Sequence, residues 1–141
     1  MKNFKKFLSV VLATLMVAGC VALSSCGKSG GDAASDELLI GGIGPLTGDY
    51  ANYGNSVKNG AELAVSEINA AGGVNGFKFK LSYQDSKGNN ADAVAAYGKL
   101  VDNGMKLSLG GVLSGETADI VAAAKDDGLL ALTPSGSATN I

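Results

Sequence analysis

Residues 38–76 read LLIGGIGPLTGDYANYGNSVKNGAELAVSEINAAGGVNG. The stretch holds a strand, a turn and a helix in series. Leu38 to Ile43 is a short apolar run ending in glycines, which suits a buried strand. Gly44-Pro45-Leu46-Thr47-Gly48 supplies turn residues. Val57, Ala61, Ala64, Val65, Ile68 and Ala71 then recur at helical spacing, with Lys58, Asn59, Glu62, Ser66, Glu67 and Asn69 on the other faces. Gly72-Gly73 predicts a glycine C-cap, and Asn75-Gly76 predicts a turn.

Downstream the alternation continues. Phe77, Phe79, Leu81 and Tyr83 alternate with Lys78, Lys80, Ser82 and Gln84, which predicts a strand with one wet face near a sheet edge. Asp85 to Asn90 is a polar loop. Val94, Ala95, Tyr97, Gly98, Leu100 and Val101 predict a second helix ending near Asn103-Gly104. Met105 to Val112 is a third strand, Thr117, Ile120, Val121 and Ala124 mark a third helix, and Leu129 to Leu132 is a fourth strand. Strands alternating with helices predict an α/β fold, a Rossmann-like parallel sheet flanked by helices and built from right-handed βαβ units. Ligands of such sheets sit at the carboxyl ends of the strands.

The 141 residues suit one compact domain, and 46% hydrophobic content excludes a wholly disordered chain. His and Trp are absent, which removes His-based acid–base catalysis, His-activated nucleophiles and His metal sites together. The formal net charge is −2 and no basic stripe exists to hold a polyanion, so nucleic acid is not an expected partner. No cofactor is expected either. The dinucleotide spacing G-x-G-x-x-G from Gly42 requires Gly at a position occupied by Thr47, and no phosphate-binding G-x-x-x-x-G-K-[ST] stretch is present.

The first 25 residues read as a lipoprotein signal peptide: Lys2, Lys5 and Lys6 precede an apolar run from Phe7 to Val17. An uncleaved anchor is the competing reading, but Phe7 to Leu23 falls short of the roughly 20 apolar residues a span requires. Leu23-Ser24-Ser25-Cys26 resembles the bacterial lipobox, and Val17-Ala18-Gly19-Cys20 also fits it. Cys26 is the favoured lipidation site, because residues 26–37 form a polar tether whereas Val-Ala-Leu follows Cys20. An exported, lipid-anchored protein on the outer face of the cytoplasmic membrane is expected. Loss of the three signal lysines leaves eight against 13 acids, a charge of −5.

Two loops after strands carry candidate binding groups. Gly110-Gly111-Val112-Leu113-Ser114-Gly115-Glu116-Thr117 passes from a strand into a helix, where free N–H groups and the helix dipole favour an anion such as a carboxylate. Ser114 adds a hydroxyl, or alternatively only caps the helix. Ser135-Gly136-Ser137 offers two hydroxyls and free carbonyls to an ammonium group, or is an ordinary polar turn.

Residues 39–140 closely resemble the N-terminal lobe of bacterial branched-chain amino-acid-binding proteins, the type I substrate-binding proteins of ABC importers. The resemblance rests on IGGIGPLTGDYANYGNSVKNGAELAVSEINAAGGVNG at 40–76, on Gln84-Asp85-Ser86-Lys87, and on GGVLSGETADIVAAAKDDGLLALTPSGSATN at 110–140. It implies that residues 38–141 form part of that lobe. It further implies that the aromatic Tyr53 packs beside the ligand and that Ser114, preceded by Leu113, holds the ligand carboxylate. Ser135 and Ser137 would then serve its ammonium. Gly115-Glu116 departs from the further hydroxyl residues of such proteins and leaves the ligand's identity open. Family members have two lobes and well over three hundred residues, so the chain reads as an N-terminal fragment with much of the side-chain specificity expected elsewhere.

The function so implied is capture of an amino acid, expected to be branched-chain, for hand-over to a membrane permease, with no enzymatic step. A sensory receptor domain of the same fold and an α/β enzyme are the alternatives. The lipobox argues against the first, and the lack of any His to activate Ser114 argues against the second.

Overall fold

The computed structural model describes residues 37–139 and 141. The expected signal peptide, the expected lipidation site Cys26 and the expected tether up to residue 36 lie outside the described residues.

The elements follow in the order β1 (Glu37–Gly44), α1 (Ala51–Ala70), β2 (Lys78–Asp85), α2 (Asn90–Asp102), β3 (Leu107–Gly110), α3 (Ser114–Asp126) and β4 (Leu130–Leu132). All strand pairs are parallel, in the order β2-β1-β3-β4. The α/β fold predicted from the alternation is therefore present. β2 is an edge strand, as its alternating pattern suggests, but the expected single wet face is not formed: every residue except Lys80 is half-buried, Ser82 and Gln84 as much as Leu81 and Tyr83. β4 forms the opposite edge, with Leu130 and Leu132 exposed.

The helix limits have local causes. Asn89 caps α2, its Oδ1 accepting from Ala91 N at 2.8 Å and Asp92 N at 3.1 Å. α1 stops at Gly72, whose φ of +105° breaks the helical path. Glu116 in the first turn of α3 and Lys125 in the last complement the helix dipole.

Two details differ from the sequence reading. β3 covers only Leu107–Gly110, because Gly111 adopts a φ of +74° and turns the chain out of the sheet. The inward stripe of α1 runs through Ala51, Gly54, Val57, Lys58, Ala61, Val65 and Asn69, while Ala64, Ile68 and Ala71 are exposed. The helix is rotated to bring Gly54 against the loop after β1, where a Cβ would collide with the Pro45 carbonyl oxygen.

The core lies between the sheet and α2–α3. Ile43, Leu100 and Ile120 are fully buried, joined by Ala93, Ala96, Tyr97, Met105 and Ala124. Each large aliphatic buried this way contributes roughly 1.5–3 kcal/mol. Tyr97 spans the two helices, donating its hydroxyl to Asp127 Oδ2 at 2.9 Å.

The chain moves from β1 to β2 in one direction and then crosses back past β1 to β3. The strand order therefore reverses between β1 and β3. Loops leaving that point diverge and open a crevice at the carboxyl ends of the strands.

Candidate functional site

The loop after β1 is held open by one carboxylate. Asp85, paired in register with Gly44 at the end of β2, accepts Leu46 N at 2.8 Å and Lys87 N at 2.8 Å through Oδ1, and Thr47 Oγ1 at 2.7 Å through Oδ2. Burial works against its charge, but the donation from Thr47, Leu46 and Lys87 outweighs it and lowers the pKa below the ordinary aspartate value. Asn55 Nδ2 reaches the Leu46 carbonyl at 3.2 Å and the Ala51 carbonyl at 2.8 Å, tying the same loop to α1. The start of α1 then lifts Tyr50 and Tyr53 to the rim, 49% and 64% exposed.

Opposite them, the loops after β3 and β4 are sewn together by hydroxyls. Thr133 Oγ1 donates to the Gly111 carbonyl at 2.8 Å and accepts from Gly136 N at 2.8 Å. Thr117 Oγ1 lies 2.7 Å from the same carbonyl. Ser135 Oγ donates to the Val112 carbonyl at 2.5 Å, and Ser137 N donates to Ser114 Oγ at 3.2 Å. Ser114 is the first residue of α3 and Leu113 occupies the capping position. The alternative of Ser114 as a simple cap therefore does not describe the geometry.

Tyr50, Tyr53, Val112, Leu113, Ser114, Ser135 and Ser137 line one cleft of about 270 Å³. All five candidate residues, Tyr53, Leu113, Ser114, Ser135 and Ser137, are thus brought together from the segments that follow β1, β3 and β4. A second hollow of about 290 Å³ shares Tyr53 and Ser135 and adds Asn52, Ser56 and Val57. No charged side chain lines either. The cleft can answer a charged group only through hydroxyls, backbone dipoles and the start of α3, whose first N–H groups have no partner within the helix.

Sequence reasoning passed over several members of this arrangement. Tyr50 lies three residues before Tyr53, a spacing that places both on one helical face. Val112 could have been added as the last residue of the apolar run. The roles of Asp85, Ser86 and Glu116 depend on partners 30 or more residues away, which no local pattern displays. Glu116 is fully buried beneath the start of α3, accepting Ser86 Oγ at 2.7 Å through Oε1 and Leu113 N at 3.5 Å through Oε2. Burial raises its pKa, the two donors lower it, and the charge of Asp85 raises it further, so the net direction is upward.

Among the described residues no group of three metal-ligating side chains occurs, and no helix is long and apolar enough to cross a membrane.

The profile of a family described as periplasmic binding protein matches residues 37–141. The Leu/Ile/Val-binding protein BraC3 of Rhizobium johnstonii is 39% identical over 108 residues, covering 77% of this chain and 29% of that protein. The leucine-, isoleucine-, valine-, threonine- and alanine-binding protein of Pseudomonas aeruginosa is 35% identical over 141 residues, covering 100% of this chain and 36% of that protein. The branched-chain amino acid transporter substrate-binding protein LivJ of Streptococcus pneumoniae, solved in complex with isoleucine, superposes with a TM-score of 0.71 at 34% identity. That match covers 74% of this chain and 30% of the other. The chain spans about a third of the length of the curated relatives it matches.

Proposed function

We propose, because this chain belongs to the periplasmic binding protein family, that it forms one wall of an amino-acid-binding site in the extracytoplasmic solute-binding component of an ABC importer. The observation that carries this reading is the uncharged cleft at the ends of β1, β3 and β4, with a hydroxyl donor and a hydroxyl acceptor on its walls. A net-neutral zwitterion suits this wall better than a ligand of net charge, because its described lining residues offer no side-chain countercharge to offset desolvation.

The hydrogen bonds already made set the polarity of each wall. Ser114 Oγ accepts from Ser137 N, which leaves its own proton to donate to a ligand carboxylate. The N-terminal N–H groups of α3 add to that attraction. Ser135 Oγ has its proton engaged on the Val112 carbonyl, which leaves lone pairs to accept from a ligand ammonium. Tyr53 flanks the ligand and, with Val57, offers the adjoining hollow to an aliphatic side chain. Branched-chain amino acids fit this division into a polar cleft and an apolar annex, and the ligands that name the relatives support the same class.

The role is binding and delivery without covalent chemistry: ligand is captured outside the cytoplasm and passed to a membrane permease. A lipid anchor at Cys26 holds the protein near that permease. Calorimetric titration of the full-length protein with L-leucine, L-isoleucine and L-valine tests the reading. Micromolar or tighter dissociation constants are expected, and no binding of any of the three would overturn it.

A further inference from the structure

The cleft has a carboxyl group directly behind its anion-attracting wall. Glu116 is fully buried, two residues after Ser114 in the first turn of α3. One oxygen takes the hydroxyl of Ser86, itself fully buried, and the other faces the N–H of Leu113, a residue of the cleft lining. Ser86 in turn is anchored to the end of β1, its N–H donating to the Gly44 carbonyl at 3.0 Å. The Glu116 side chain therefore links the loops after β2 and β3, and the backbone of Ser86 carries that link to the end of β1.

Among the described residues no cation pairs with it. The ion pairs among the described residues are Lys58–Glu62 and Lys87–Asp92, both at the surface. The titratable groups bearing on Glu116 are Asp85 and Tyr83, both contributed by β2. Asp85 is an anion already engaged by Leu46, Thr47 and Lys87. Tyr83 carries a buried hydroxyl with no hydrogen-bond partner. A charged Glu116 draws on the same positive end of α3 that an anion in the cleft would use, and like charges at close range oppose one another.

We infer that Glu116 is a positioning residue through which capture of a carboxylate in the cleft is coupled to uptake of a proton. With Glu116 charged, its carboxylate competes with the ligand for the start of α3. With Glu116 neutral, that opposition is gone while the link to Ser86 is kept, so affinity rises as the pH falls. The upward direction of the Glu116 pKa agrees with this sign.

The inference rests on the amino-acid-binding reading, and the test separates the two. L-isoleucine is titrated calorimetrically into the full-length protein between pH 5 and pH 7, in two buffers of different ionisation enthalpy. Affinity at least threefold higher at pH 5 than at pH 7 is expected, with net proton uptake on binding. Glu116→Gln should bind isoleucine with little pH dependence and no proton uptake. Ser86→Ala removes a donor that favours the charged form, so its affinity should persist to higher pH than in the wild type. This second variant and the wild-type proton count do not require Glu116→Gln to fold. A flat pH profile without proton uptake in the wild type would overturn the inference and leave the binding function standing. Persistence of the wild-type slope in folded Glu116→Gln would also overturn it. Absence of isoleucine binding at every pH would overturn the functional reading and the inference with it.

Discussion

Ser137 donates its backbone N–H to Ser114 Oγ across 3.2 Å, joining the loop after β4 to the first turn of α3. The contact orients a hydroxyl as well as two loops. An oxygen that accepts on one side presents its proton on the other. Ser135 is arranged the opposite way, its proton already given to the Val112 carbonyl. Two serines of the same chemistry thus face one cleft with opposite polarity.

Ser114→Ala removes the free donor. A hydrogen bond to a charged group contributes about 1.5–3 kcal/mol, so L-isoleucine affinity should fall tenfold or more in calorimetric titration. Ser114→Thr keeps the hydroxyl and should retain most of the affinity. A loss under threefold for Ser114→Ala would show that the carboxylate is held elsewhere.

Tyr53 is exposed at the rim and lines both hollows, so its expected contribution is the ring. Tyr53→Ala should weaken isoleucine binding roughly fivefold to thirtyfold, the equivalent of about 1–2 kcal/mol of apolar contact. Tyr53→Phe should bind almost as the wild type does. Equal losses in both variants would assign the effect to the hydroxyl instead.

Asp85 pins the loop after β1 through three donors. Asp85→Ala should lower stability by about 1–2 kcal/mol in chemical denaturation and weaken ligand binding by releasing Leu46 and Thr47. Because its folded pKa is depressed, its contribution is present above about pH 4 and disappears as the pH falls through the lowered value. The difference between wild type and Asp85→Ala should therefore shrink in strong acid. Glu116, with a raised pKa, has the opposite sign: its contribution is present at low pH and is lost as the pH rises through the raised value.

Tyr97 is pushed up to about 12 by burial, and by the hydrogen bond and charge of Asp127. Its stabilising effect holds below about pH 10 and is lost as the pH approaches 12. Tyr97→Phe should cost about 0.5–1.5 kcal/mol at neutral pH. It should also remove one late component from the ultraviolet titration of the tyrosines. An unchanged late component would mean that the Tyr97 phenol is not held by Asp127.

Most of the fold was legible because each element carries its own period. The alternation in Phe77–Gln84 marked β2 as an edge strand, and Gly72-Gly73 marked the end of α1. What periodicity missed was rotation and long-range pairing. Ile68 belongs to the helical stripe by spacing, yet Gly54 against Pro45 turns that stripe elsewhere. The five candidate site residues were found from a helix start and a family resemblance, and the sheet's reversal point gathers them into one cleft. Glu116 stands out in the sequence only as a departure, with Gly115, from the hydroxyl residues of similar proteins. Its burial follows from Ser86, thirty residues earlier in the chain, and only folding reveals that partner.

The most direct measurement is a crystal structure of the full-length protein grown with L-isoleucine. The ligand carboxylate is expected within hydrogen-bond distance of Ser114, its ammonium beside Ser135 or Ser137, and its side chain against Tyr53. Isoleucine bound away from these four residues, with the cleft at the start of α3 filled by solvent, would contradict this placement.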